Sequence, residues 1–204
     1  VFIENIGQFD SKVSFQARGA GGAIYLTRDA VWITIIEPPL PPDVTNAQSV
    51  NPFDNFLSKK PRKGVHLRLT FAGANPNPQL EGFNRLDTTV SYFTGSDPAK
   101  WKSNVPVWGG VRYVDLYPGV DLEITSANGQ WAWRLVLRDG ANVQDVRLRV
   151  NGPDTIKLDG ERLRLSTIVG EFTMPLIQTE GEVDSSPTIT DDQVNSPFIA
   201  SQST

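Results

Sequence analysis

Cysteine is absent and histidine occurs once, at His66. The first absence excludes disulfides, zinc-thiolate sites and thiol nucleophiles. The second leaves no set of nitrogen ligands for zinc or another transition metal. It also leaves a single candidate base for a Ser-His-Asp triad, and no Gly-x-Ser-x-Gly elbow exists to present a serine. His66 falls on the polar side of an alternating run, where an exposed or hydrogen-bonded strand histidine is the ordinary reading. No apolar run approaches the roughly 18 residues of a membrane span, so none is expected. Positive charge is not in surplus either: 19 basic residues face 23 acidic ones, for a net charge of −4. That balance lacks the basic footprint of a nucleic-acid binder.

What is present is punctuation and alternation. The 204 residues include 17 glycines and 15 prolines, a composition that favours many turns over long helices. Alternating apolar and polar residues mark strands over Val13–Arg18, Ala23–Thr27, Val31–Ile36 and Val65–Phe71. The same period runs through Val120–Thr125, Trp131–Leu137 and Val146–Val150, then through Ile156–Leu158 and Leu163–Leu165. In the second of these, Trp131, Trp133, Leu135 and Leu137 share a face and read as core. Asp159-Gly160 and Asn128-Gly129 read as hairpin turns, and Tyr117-Pro118-Gly119 as a tight turn. One short helix is expected, capped by Asp97 and begun by Pro98. The fold class is therefore all-β: an antiparallel, β-sandwich-like architecture with long loops and at most one or two short helices. Residues 1–180 form one domain. Within it, 37–64 is a proline-rich insertion, carrying Pro38-Pro39-Leu40-Pro41-Pro42 and a basic cluster from Lys59 to Lys63. Residues 181–204 read as a linker or C-terminal tail.

Few side chains stand out chemically. Calcium needs only oxygen ligands, and Asp115 and Asp121, with Glu123 nearby, bracket the Pro118-Gly119 turn. No EF-hand or Gly-Asp repeat accompanies them, and pairing with arginine is the competing role. No cofactor is expected, and calcium is the one kept open. Carboxylate pairs of the glycosidase type can be drawn among many acidic residues, but nothing singles one out. An enzyme is not expected. Trp101, Trp108, Tyr113 and Tyr117 flank loop segments and could stack on sugar rings, or else plug the ends of the sheets. Arg134, Arg138, Arg147, Arg149, Lys157, Arg162 and Arg164 all take the polar phase of successive strands. Interspersed carboxylates make that a mixed, solvated face.

Five segments, in order, carry a resemblance. They are Glu4-Asn5-Ile6-Gly7-Gln8-Phe9-Asp10, Leu69-Thr70-Phe71-Ala72-Gly73-Ala74-Asn75-Pro76, Tyr92 to Leu122, Arg147-Leu148-Arg149-Val150-Asn151-Gly152 and Gly170-Glu171-Phe172-Thr173-Met174-Pro175. Over roughly residues 2 to 178 the chain resembles an uncharacterised N-terminal domain of bacterial secreted proteins that carry SBBP-type β-propeller repeats. The resemblance implies a secreted or cell-surface location and a non-catalytic structural or interaction module. The partners it implies are other domains of the same polypeptide, with a polysaccharide or cell-surface component as a second class. A carbohydrate-binding module using the aromatics above is the alternative function, and a glycan-active hydrolase a more remote one. The family's pattern supplies no catalytic residues to carry over.

Overall fold

The computed structural model describes residues 1–19, 21–38, 62–127, 130–143 and 146–179, together with three short strands beyond them. Most of the proline-rich insertion and the Asn128-Gly129 turn lie outside the described residues. The fold is all-β. Thirteen strands run in chain order from the N-terminus: β1 (Phe2–Glu4), β2 (Val13–Gly19), β3 (Gly22–Thr27), β4 (Val31–Ile36), β5 (Gly64–Phe71), β6 (Gln79–Tyr92), β7 (Lys102–Tyr117), β8 (Val120–Ala127), β9 (Gln130–Leu137), β10 (Arg147–Asn151), β11 (Thr155–Asp159), β12 (Arg162–Thr167) and β13 (Gly170–Pro175). Four short ones follow: β14 (Gln178–Thr179), β15 (Thr188–Thr190), β16 (Gln193–Asn195) and β17 (Ile199–Ala200).

One 14-stranded sheet follows the order β15-β16-β10-β5-β4-β3-β2-β1-β7-β8-β9-β14-β17, with β6 added beside β7. A second sheet has three strands, β11-β12-β13. The large sheet changes course at β7. Strand β6 runs along one edge of β7, from Lys102 to Val114. The other edge is divided: β1 pairs with Val107 and Trp108, while β8 pairs from Gly110 to Tyr117. One wing, β1 to β5 and β10, therefore departs from the first half of β7, and a second, β8 and β9, from the second half.

The wings close on each other. Phe71 of β5 meets Trp133 of β9 edge-on at 6.4 Å, although six strands lie between theirs in the sheet order. The Tyr113 hydroxyl of β7 donates to the Thr27 carbonyl at the end of β3, at 3.0 Å. The small sheet caps the same interior with Leu163, Leu165 and Met174, and Trp133 Nε1 donates to the Pro175 carbonyl at 2.9 Å. Strands that pass from one layer to another by bends or bulges make such corners. Strand β7 has backbone for this at Asn104 and Asp115, with φ of +56° and +50°, and β6 has it at Asn84, with φ of +53°.

Side chains fix the β6–β7 pairing where the edge divides. The Phe83 ring lies over Gly110, its direct cross-strand partner, and the Trp108 ring lies over Gly82. A Cβ at either glycine would fall inside the facing ring. Each ring thus covers the backbone that the glycine leaves bare, and each glycine admits a ring that no other residue would.

Most alternating segments are strands as read, and Trp133 and Leu135 are buried with Trp131 and Leu137 packed against them. The Pro118-Gly119 turn joins Tyr117 to its partner Val120, with Gly119 at φ +73°. Asp97 caps a single 3-10 turn over Pro98–Lys100. Two readings are corrected. The β11–β12 turn is Gly160-Glu161, since Asp159 still pairs with Arg162. Gly160, at φ +58°, takes the first central position, where a type II′ turn accepts glycine. The stretch 181–204, expected as a linker or tail, contains strands. β15 and β16 extend the sheet beyond β10, and β17 lies parallel to β14. These strands are only two or three residues long, too short for alternation to register.

Overpacking a filled site costs about 1–3 kcal/mol. Gly110→Ala should therefore lower unfolding stability by that order in urea denaturation. In a Phe83→Ala background the same change should cost much less, because the ring it strikes is gone. Equal costs in both backgrounds would show that the ring does not require the glycine.

Candidate functional site

The charged residues of the central strands form a row in direct register. Glu81 of β6, Arg112 of β7, Glu123 of β8 and Arg134 of β9 lie opposite one another in turn. Opposite charges in facing cross-strand positions attract, so the row itself supports the register. Glu123 is its centre and is only 2% exposed. Arg112 Nε donates to one carboxylate oxygen at 3.0 Å and Arg134 Nε to the other at 2.8 Å. Burial on its own would push the Glu123 carboxyl up. The hydrogen bonds and charges of Arg112 and Arg134 outweigh it and hold the group below the usual carboxylate range. Such a carboxylate stays ionised with both oxygens engaged. It cannot donate a proton as a general acid, and no oxygen faces a substrate.

The proposed calcium pair closes in the same way. Arg138 forms ion pairs with both Asp115 and Asp121, the latter at 3.0 Å. The Asp115 backbone N–H donates to Asp121 Oδ1 at 2.8 Å. A guanidinium thus stands where a cation would be held. Among the described residues no group of three or more His, Cys, Asp or Glu side chains could hold a metal ion. His66 lies exposed, with Nδ1 at 3.0 Å from the Thr34 hydroxyl.

The four aromatic candidates separate. Tyr113 is 2% exposed and Tyr117 5%, so neither can present a face to a ligand. Burial pushes the Tyr113 phenol far above its ordinary range, and its hydroxyl is held by the Thr27 carbonyl. The Tyr117 hydroxyl donates to the Ala72 carbonyl at 2.7 Å. Both are core side chains with a satisfied polar tip, and their assignment as stacking platforms is withdrawn. Trp108 is half-buried at the division of β7, with its indole N–H on Glu4 at 2.9 Å and the Arg85 guanidinium 5.5 Å from its ring centre. Only Trp101, at the end of the 3-10 turn, is exposed among the four. It has a partner that the sequence did not single out: Phe93, across the β6–β7 turn.

One hollow of about 430 Å³ opens where β3 and β4 approach the β8–β9 hairpin and β13. Ile24, Ile35, Trp131 and Phe172 line it, with Arg18 and Glu171 among its polar groups. Thr34 also lines it, and its hydroxyl is the one that meets His66 Nδ1. Among the described residues, no helix is long and apolar enough to cross a membrane.

A carboxyl held low in the folded state stabilises above its unfolded pKa, and that stability is lost as pH falls through the folded value. Glu123→Gln should therefore lower stability at neutral pH by about 2 kcal/mol, the scale of a charge-assisted hydrogen bond. Between wild type and variant the gap in melting temperature should narrow as pH drops below 4.5, the ordinary value of the group. A gap that stays constant with pH would show that charge is not what Glu123 contributes.

No curated protein and no solved structure matches the chain. A family model does match, over residues 2–177, from β1 to the residue before β14. The chain therefore belongs to the family described as domain of unknown function DUF7948.

Proposed function

We propose that this domain is a non-catalytic structural and interaction module of an exported bacterial multidomain protein, secreted or at the cell surface. In that protein it would stand beside SBBP-type repeats and contact other domains of the same polypeptide. One observation supports the reading above the rest. The groups best suited to chemistry are each engaged by a structural partner: Glu123 by two arginines, Asp115 and Asp121 by Arg138, and Tyr113 and Tyr117 by backbone carbonyls. Active sites leave a carboxylate or hydroxyl facing a cavity with a shifted proton affinity. The central row does the reverse, because its shift favours the charge state that builds the sheet. The module reading requires no cofactor, calcium included.

Protease treatment of intact cells producing the full-length protein tests location; cleavage of the domain is expected, and protection until lysis would count against export. Screening the purified domain against polymeric glycans and ester substrates should give no turnover above the blank. Reproducible turnover above the blank would replace the module with an enzyme. Millimolar calcium should leave the melting temperature where a chelator leaves it, and a rise of several degrees would restore the Asp115–Asp121 site.

A further inference from the structure

The β6–β7 hairpin ends in a loop that holds two large aromatic side chains in solvent. Phe93 is 65% exposed and Trp101 is 41% exposed. Their rings meet edge to face, 5.4 Å apart and at 77°. Isolated apolar residues on a surface need no explanation, but two rings braced against each other do not occur by scatter alone.

The loop is built to hold them still. Asp97 Oδ1 accepts from the Ala99 N–H at 3.0 Å, and the Lys100 and Trp101 N–H groups return to the Asp97 and Pro98 carbonyls, each at 3.1 Å. Trp101 Nε1 donates to the Gly95 carbonyl at 3.2 Å. This last bond pins the indole and uses its one polar group inside the loop. What remains outward is carbon surface on a fixed ring. A ring immobilised before binding loses little freedom on binding.

We infer that Phe93 and Trp101 form a stacking platform for an uncharged glycan, bound through the C–H face of a pyranose ring. This goes beyond the module reading and stands or falls separately from it. Three features favour that occupant. The indole N–H is already engaged by the Gly95 carbonyl, so the ring offers a ligand carbon surface and no donor, which suits ring C–H groups. In a bilayer interface, by contrast, the indole N–H is the end left to the wet side. The rim carries one cation and one anion, Lys100 and Asp97, whose charged atoms are 4.0 Å apart and well exposed. They can donate to and accept from hydroxyls, yet cancel as charges, so an anionic polymer gains nothing there. Finally, a patch built on two ring side chains falls far short of the 20–30 residues a side of an ordinary protein interface.

The test is titration calorimetry with hexamers of β-1,4-linked glucose, xylose and N-acetylglucosamine and of β-1,3-linked glucose. A parallel arm measures sedimentation with phosphatidylcholine vesicles. At least one hexamer should bind. Its affinity should fall about tenfold or more in both Trp101→Ala and Phe93→Ala, the scale of losing an aromatic contact. Trp101→Phe should retain part of it, and Leu158→Ala, an exposed apolar residue on the small sheet, should bind as wild type. Circular dichroism melts of each variant separate loss of binding from loss of fold, and Trp101→Phe carries the test if the alanine variant is unfolded. No binding by any hexamer at millimolar concentration would overturn the inference. So would binding that survives both alanine changes, or pelleting with vesicles that those changes abolish while no sugar binds.

Discussion

Everything in this fold depends on one strand having two different neighbours along one edge. The first half of β7 holds β1 and the second half holds β8. A sheet that continued straight would leave both faces of that region open. The divided edge sends two wings off in different directions, and they can then bury a common interior. The fixed partner through the division is β6, and two aromatic rings seated on two bare backbones hold β6 in place. Backbone hydrogen bonds define a ladder but tolerate slippage; a ring that fits over only one glycine does not. The packed interior of both wings and the small sheet follows from that local choice.

The charged row across β6 to β9 complements this apolar lock. It lies at residues whose neighbours in sequence are core: Val111 and Tyr113 beside Arg112, Leu122 and Ile124 beside Glu123, Trp133 and Leu135 beside Arg134. Alternation places the ions on one face and the core on the other. A one-residue slip would bring Glu123 into the apolar interior without its two arginines, at the cost of an unpaired buried charge. The row therefore specifies register even where its net contribution to stability is small. The same closure pairs the carboxylates that crowd this part of the sequence, Glu123, Asp115 and Asp121, with arginines.

The sequence disclosed the architecture unevenly, for physical reasons. Strands with one buried face, such as β4, β5, β8 and β9, carry the period-two signal because burial imposes it. β6 carries none: no residue along its 14 positions is buried, it pairs with β7 alone, and its bulges break any phase. Neither it nor its partner β7, the pair that organises the molecule, was among the strands read from periodicity. Among the aromatics, Trp101, Trp108, Tyr113 and Tyr117 looked alike in sequence because all four border turns. What separates them is distance to the other wing, which is tertiary information. Tyr113 meets the Thr27 carbonyl 86 residues away, whereas Trp101 is anchored by a carbonyl only six residues back. Phe93 escaped notice because its significance lies in the ring across the turn.

The pairing of β1 with β7 also has a consequence in time. Phe2 and Ile3 rest beside Trp108 and Val107, so β1 is seated only after β7 has been made. Contacts of such long range form slowly, since the intervening chain must first be brought to order. A polypeptide emerging from its N-terminus can assemble β2 to β5 as local hairpins, but their outer edge waits for β7. Until then the chain remains open and extensible, without a cysteine that could cross-link it in a wrong arrangement. Delayed closure of this kind leaves the β2 edge of the first wing unsealed until β7 is in place.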